Sequence, residues 1–444
     1  MSLVCGRVSA WADTRVGFEE GDAMSNNQED VTSCIAVRST LDDEYVRFVT
    51  EAWPDPRPFY DRLRAEAPVY WTPMNHWYVS GFAEAAAIWK DNDRWSQRPV
   101  LSTGRAFDLG DGPAATFFGE TLLSLDGDAH ARMRGPVNQV FAPRGIEQLA
   151  DTVRATVSTL MDRAASGDRM EFLHDFARPL PTTVILDVFG IDHAAYERFS
   201  EVADIIIECY EAMGSCHFAD DLRVRADRTL GGCAEYVIEL AHERRGGAAT
   251  DLLSELVRAQ DADPASMTDS ELASAMMFIV TAGFETTMYT ATNMVYHLLD
   301  NPGQLALVRA DRSLIRSTIE EVLRYEPGVY VSSVRYATED IEVAGKHITR
   351  GDLCLISNHA ANHDPAVFEH ADRFDVTRQP NRQLSFGRGR HTCLGAHLAR
   401  IELRMTLEVI LDRFPGLALD IAPEEINWTS SHVLRGPTSL PVRW

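Results

Sequence analysis

The sequence predicts a mainly helical fold with a smaller β region, and three observations carry that prediction. Apolar residues recur at helical spacing over Leu149 to Ala164, Thr182 to Phe189, Ala226 to His242 and Leu394 to Phe414. Between Thr268 and Asn301 the chain runs without a proline. About 30 residues at 1.5 Å each make a helix roughly 45 Å long, enough to cross the whole molecule. Extended, β-rich sequence is concentrated around residues 328–348.

Composition sets the outer limits. The 444 residues are 45% hydrophobic, enough for a large core. With 66 acidic and 42 basic side chains the formal charge is −24, which argues against nucleic acid as a partner and for a soluble protein. The seven cysteines are odd in number and scattered, as expected of reduced cytoplasmic thiols and not of a disulfide framework. No apolar run approaches the roughly 18 to 20 residues needed to span a bilayer. Residues 1–24 lack the basic start and apolar centre of a signal peptide. Residues 1–40 are polar and aperiodic and are expected to form a flexible leader, with Met24 as an alternative start. Residues 41–444 are expected to form one domain.

Taken in order, Gly81 to Lys90 reads as a short helix. Residues 96–125 are rich in Gly, Ser, Thr and Phe and lack clear periodicity, as binding loops and lids often do. Phe107, Phe117 and Phe118 are candidate pocket residues there; the alternative is that they pin the loop. In Asp126-Gly127-Asp128-Ala129-His130-Ala131-Arg132-Met133-Arg134, His130 and Arg134 are four apart and share one helix face. Thr268-Asp269-Ser270-Glu271 is a capping box and starts the long helix. Apolar residues on several of its faces imply burial. Its middle, Ala282-Gly283-Phe284-Glu285-Thr286-Thr287, is a poor choice for a buried helix. A threonine can bond back to a carbonyl one turn earlier, and Gly283 permits the resulting distortion. That would open a groove. Leu314 to Tyr325 is another helix, stopped by Pro327, with Glu321 and Arg324 three apart on one face. Ile341 to Ile348 reads as a hairpin with Gly345 in its turn.

The densest motif is Phe386-Gly387-Arg388-Gly389-Arg390-His391-Thr392-Cys393-Leu394-Gly395. Glycines allow a backbone turn that brings amide N–H groups to the sulfur. The following helical pattern puts Cys393 at a helix N-terminus, where dipole and free amides favour a thiolate. A buried structural cysteine is the alternative. A zinc reading of His391, Cys393 and His397 has no Cys-x-x-Cys pair and no fourth ligand. The Cys-x-x-Cys-His signature of covalently attached haem is absent.

This loop resembles the cysteine-ligand loop of the cytochrome P-450 family, Phe-Gly-x-Gly-x-His/Arg-x-Cys-x-Gly, and every specified position is matched. Ala282 to Thr287 is similar to that family's Ala-Gly-x-Glu-Thr-Thr, with Phe284 where His is frequent. Glu321 and Arg324 match its Glu-x-x-Arg. The resemblance covers about residues 50 to 444, with four motifs in the expected order. It implies a triangular, mostly helical domain with haem b between the long central helix and the cysteine loop. Its opening helix and first strand would fall at residues 54–70, with Trp77-Tyr78-Val79 as the paired strand. A mobile lid would span Asp192 to Asp221.

The same resemblance implies the roles of individual residues. Cys393 would be the thiolate ligand of the iron, in a cradle that includes Phe386, Gly387 and His391. His130, Arg134 and Arg335 would reach the propionates. Thr286 would hold dioxygen and its waters, with Glu285 relaying protons. Glu321 and Arg324 would form a buried structural pair completed by a later arginine, with Arg373 the best candidate and Arg378 the lesser one. Phe284, Val331, His432 and Val433 would contribute to the substrate pocket.

The implied activity is that of a soluble, bacterial-type haem-thiolate monooxygenase. It would hydroxylate or epoxidise a small apolar organic substrate such as a natural-product intermediate. The alternative is oxidative coupling or peroxide-driven oxidation by the same centre. No flavin or iron–sulfur domain is encoded, so electrons would come from a ferredoxin and its NAD(P)H-dependent reductase. Arg388, Arg390, Arg400 and Arg404 form a basic cluster in an acidic chain, suited to an acidic ferredoxin. The protein is expected to be cytoplasmic and monomeric, without nucleic-acid or membrane partners.

Overall fold

The central helix organises the structure. The computed structural model describes residues 39–444 apart from 52, 54, 99–108, 166, 215–218, 430 and 432. The helix spans Asp269–Asp300, 32 residues, and its N-terminus carries the predicted capping box: Thr268 accepts from the Glu271 amide and the Glu271 carboxylate accepts from the Thr268 amide. Buried residues from Leu272 to Leu298 occur on all its faces, as expected for a helix surrounded by protein. Packed on it are Pro113–Glu120, Pro179–Phe189, Tyr196–Gly214, Asp220–Arg244, Ile315–Tyr325 and Ala396–Arg413.

The β region lies to one side. Its five-stranded sheet has the order Val69–Trp71, Trp77–Val79, Leu353–Ser357, Val331–Ala337, Trp95–Ser96. Val69–Trp71 and Trp77–Val79 pair antiparallel, as predicted. The hairpin joins Ile341–Val343 to Lys346–Ile348 across Ala344 and Gly345, both at positive φ. Arg169–Glu171, Pro441–Arg443 and Ala418–Leu419 form a third, three-stranded sheet.

Among the helices that escaped the sequence reading, Pro302–Ala310 included, two lie in the N-terminal part. Thr40–Thr50 is capped by Ser39, whose hydroxyl accepts from the Asp42 amide at 3.1 Å. The predicted boundary at residue 40 therefore falls in a helical first turn, and the rest of the predicted leader, with Met24, lies outside the described residues. Pro113–Glu120 lies within the segment read as irregular. Its N-terminal amide, at Ala114, donates to Asp227 at 3.0 Å, a cap supplied from another helix. Among the described residues no helix is long and apolar enough to cross a membrane.

Candidate functional site

Cys393 stands at the seam between loop and helix. The chain turns through Gly387 and Gly389, both at positive φ, passes the short helical turn Gly389–His391, and enters Ala396–Arg413 with Gly395 as the N-cap. The Cys393 amide donates to Phe386 O at 2.9 Å and closes the loop. Gly389 is required on two grounds: a left-handed φ of 80°, and a Cβ that would stand 2.3 Å from Trp89 O. The Arg400 guanidinium covers the Phe386 ring at 4.5 Å.

Of the described cysteines, Cys209, Cys233 and Cys354 are buried and Cys393 alone is accessible. Desolvation nevertheless pushes the thiol up, against the amides of Gly395 and Ala396 and the charges of Arg134 and Arg400. The predicted amides are in place, but burial outweighs them. Ionising this sulfur calls for a nearby positive charge, and a coordinated metal supplies one. Among the described residues no three of His, Cys, Asp and Glu are grouped to hold a metal ion. His391, Cys393 and His397 are therefore not a zinc site.

Facing this loop is an excess of cationic and N–H groups. His130, on the helix Gly127–Val140, is 1% exposed, and neither ring nitrogen has a hydrogen-bond partner. Its ring centre lies 4.2 Å from that of His391. Arg134 donates to Thr392 O at 2.6 Å, tying this helix to the cysteine loop. Arg335, on Val331–Ala337, is 3% exposed. Burial pulls it down to about 10, with Asp126 opposing. Burial, with His391 and the nearby arginines, pulls His130 down to about 4. His391 and Arg134 are likewise lowered, chiefly by burial.

Among the described residues, the carboxylate of Asp126 faces them. Asp126 lies 3.6 Å from His391 Nε2, and accepts from Ser96 at 2.5 Å and from the Gln97 amide at 3.0 Å. Burial pushes this carboxyl up, but those hydrogen bonds win and hold it at about 2. Asp126 was legible only as the start of a helix; its contact with His391 depends on the tertiary fold. Two buried imidazole nitrogens of His130 without a hydrogen-bond partner, beside Arg134, Arg335 and His391, fit a ligand that carries carboxylates. The two propionates of a haem are such carboxylates.

The other wall is the middle of the central helix. Ala282 is exposed and Gly283 half-buried, inside a helix otherwise packed. Nothing lies within 4 Å of where a Gly283 Cβ would be. Thr286 Oγ1 donates to Ala282 O at 2.8 Å, the back-bond read from the sequence. The helix stays continuously α-helical from 269 to 300; the predicted opening is accessible surface at Ala282 and Gly283, not an unwound turn. A recess lined by Thr286, Thr290, Pro327, Val329, Phe386 and Leu403 joins this wall to the cysteine loop.

Several predicted residues lie elsewhere. Phe284 is wholly buried, with the Arg178 guanidinium 5.2 Å from its ring, so it does not face the recess. Phe117 and Phe118 belong to the main core, with Phe118 edge-on to Tyr210 at 5.4 Å; they pin their segment. Val331 packs in the N-terminal aromatic cluster with Tyr45, Phe59 and Tyr60, and Pro327 to Val329 line the recess in its place. Val433 is half-buried and its carbonyl accepts from the Tyr330 amide at 2.8 Å. Phe107 and His432 lie outside the described residues. The third member of the buried ion group is also corrected. Arg378 Nε lies 3.1 Å from Glu321, whereas Arg373 contributes only its carbonyl, which accepts from Arg324 at 2.9 Å.

Comparison with known proteins agrees with this geometry. Residues 233–438 match the profile of the family described as Cytochrome P450. The chain is 35% identical over 396 residues to cytochrome P450 monooxygenase PikC of Streptomyces venezuelae, covering 88% of this chain and 91% of that one. The chain belongs to the cytochrome P450 family. This P450 is also 33% identical over 394 residues to 6-deoxyerythronolide B hydroxylase of Saccharopolyspora erythraea, covering 86% and 95%. Among solved structures it resembles CalO2, at TM-score 0.80, 30% identity and coverage of 88% and 96%. The P450 is a monooxygenase of the type found in bacterial secondary metabolism. Its cofactor is haem b, with a cysteine thiolate as iron ligand.

Proposed function

We propose that this P450 hydroxylates or epoxidises an apolar natural-product intermediate, with electrons from a separate ferredoxin and NAD(P)H-dependent reductase. Relatives named as a mycinamicin IV hydroxylase/epoxidase and a polyketide biosynthesis cytochrome P450 support the substrate class. The observation that carries the reading is the opening of the buried central helix at Ala282 and Gly283, with Glu285 and Thr286 beside it. A second reading, oxidative coupling, draws on the 31% identical structural relative CxnD, an enzyme for C–S bond formation.

When bound, haem supplies the reduction of O2 and the transfer of one oxygen atom. Cys393 would hold its iron, within the cradle of Phe386, Gly387 and His391, while His130, Arg134 and Arg335 would take the propionates. Thr286 Oγ1 has its hydrogen committed to Ala282 O, which leaves its lone pairs to accept from a donor in the groove. To give a proton there, that bond must break and another proton must arrive. Glu285, adjacent and half-buried, is the group to deliver it.

Thr286→Ala is therefore expected to keep haem and fold but to divert most electrons from product to hydrogen peroxide. Peroxide and product measured per NAD(P)H consumed decide the point, and full coupling in the variant removes the role from Thr286.

For the redox partner, the basic cluster is smaller than its sequence. Arg400 is paired with Glu320 at 2.6 Å and Arg404 with Glu147 at 2.7 Å. Arg388 and the exposed Arg390 remain as the docking charges. Reversing both to Glu is expected to slow reduction by an acidic ferredoxin about tenfold at low ionic strength, and to flatten its salt dependence. Stopped-flow reduction across a salt series tests this; an unchanged rate and slope would remove those two arginines from the interface.

A further inference from the structure

Arg435 is buried where a surface loop would not ordinarily spend a charge. It is 3% exposed. Its guanidinium lies 4.5 Å from the Trp428 ring centre and 5.6 Å from that of Tyr330. Its Nε stands 3.8 Å from Glu326, whose carboxylate also accepts from Tyr330 OH at 2.6 Å. The backbone at the same residue is held twice: its amide donates to Gly328 O at 3.0 Å, and its carbonyl accepts from Asn293 Nδ2 at 3.0 Å. Asn293 belongs to the central helix and reaches Glu326 O as well, at 3.1 Å.

Three segments therefore meet at one point: residues 433–436, the strand entry 326–330, and the central helix about two turns beyond Thr286. The approach is close. A Cβ on Gly436 would stand 2.3 Å from the Tyr289 ring. Val329, which bridges to Leu434 from this junction, lines the recess beside Thr286. A planar guanidinium can lie against two aromatic rings at once, and a lysine cannot reproduce that packing. Removing it frees the loop to shift relative to Thr286.

We propose that Arg435 is a positioning residue that fixes the shape of the substrate side of the pocket by locking residues 433–436 onto the central helix. This rests on the reading of the recess as the substrate pocket. Binding of imidazole and of 4-phenylimidazole to the haem-loaded protein, followed by absorbance, tests it in Arg435→Met, Arg435→Lys and Gly436→Ala. The carbon monoxide difference spectrum of each reduced variant checks the haem centre separately. All three are expected to keep the normal carbon monoxide band and an imidazole Kd within about twofold of the parent. For 4-phenylimidazole, which reaches into the substrate side, Kd is expected to change at least about fivefold, with no rescue by lysine. A purely structural role would lower thermal stability and move both Kd values together or neither. Either result, or loss of haem from all three variants, overturns the proposal. An unaltered parent that itself gives no carbon monoxide band would instead overturn the reading of the site.

Discussion

Cys393→Ala is expected to abolish the strongly red-shifted Soret band that the reduced protein forms with carbon monoxide, and all O2-dependent turnover with it. Among the described residues, elimination and geometry both point to Cys393. Cys209 and Cys233 are buried, and burial pushes their thiols up to about 12. Cys354 is buried in a core cluster, on the strand Leu353–Ser357. Only Cys393 combines accessible surface with amides aimed at its sulfur and a loop closed from behind by its own N–H to Phe386 O. A carbon monoxide band surviving in the alanine variant would transfer the ligand role to another residue. Loss of the band with haem retained is the stronger outcome, because the four groups around Asp126 would then be holding the cofactor without the thiolate.

The parts legible in the sequence are those whose determinants are local. The capping box at Thr268 and Glu271 acts over three residues. The Thr286 back-bond acts over four, and the cysteine loop needs only glycines at positions of positive φ. What was not legible depends on contacts across the chain. The helix Pro113–Glu120 takes its cap from Asp227, so nothing near Pro113 announces it. Phe117, Phe118 and Phe284 have the right chemistry for an apolar pocket, but the direction a side chain faces follows from packing, and theirs is into the core. Asp126 reads as an ordinary helix start; its role appears only when Ser96, Gln97 and His391 converge on it.

The choice between Arg373 and Arg378 belongs to the same class, and it makes the second large prediction. Glu321 and Arg324 have side chains with no exposed surface and share two hydrogen bonds of 2.8 and 2.9 Å. Glu321 also accepts from Arg378, from the Asp375 amide at 2.9 Å and from Asn381 at 3.1 Å. Glu321→Ala therefore removes the charge partner of the wholly buried Arg324 and of the partly buried Arg378 at once. Breaking a buried pair from one side is worth about 3–5 kcal/mol, a large part of a typical total of about 5–15 kcal/mol. The variant is expected to accumulate unfolded and without haem. Arg378→Ala leaves the Glu321–Arg324 fork intact and removes charged hydrogen bonds worth about 1.5–3 kcal/mol, so it should fold with a clearly lowered midpoint of denaturation. Arg373→Ala keeps the only atom this residue contributes, its backbone carbonyl, and should leave the midpoint unchanged. Denaturant titration of the three variants gives the order directly. If Arg373→Ala were as damaging as Arg378→Ala, the guanidinium of Arg373 would be a working member of the group. The expected order instead identifies Arg378 as the charge that Glu321 holds from the coil leading to the cysteine loop.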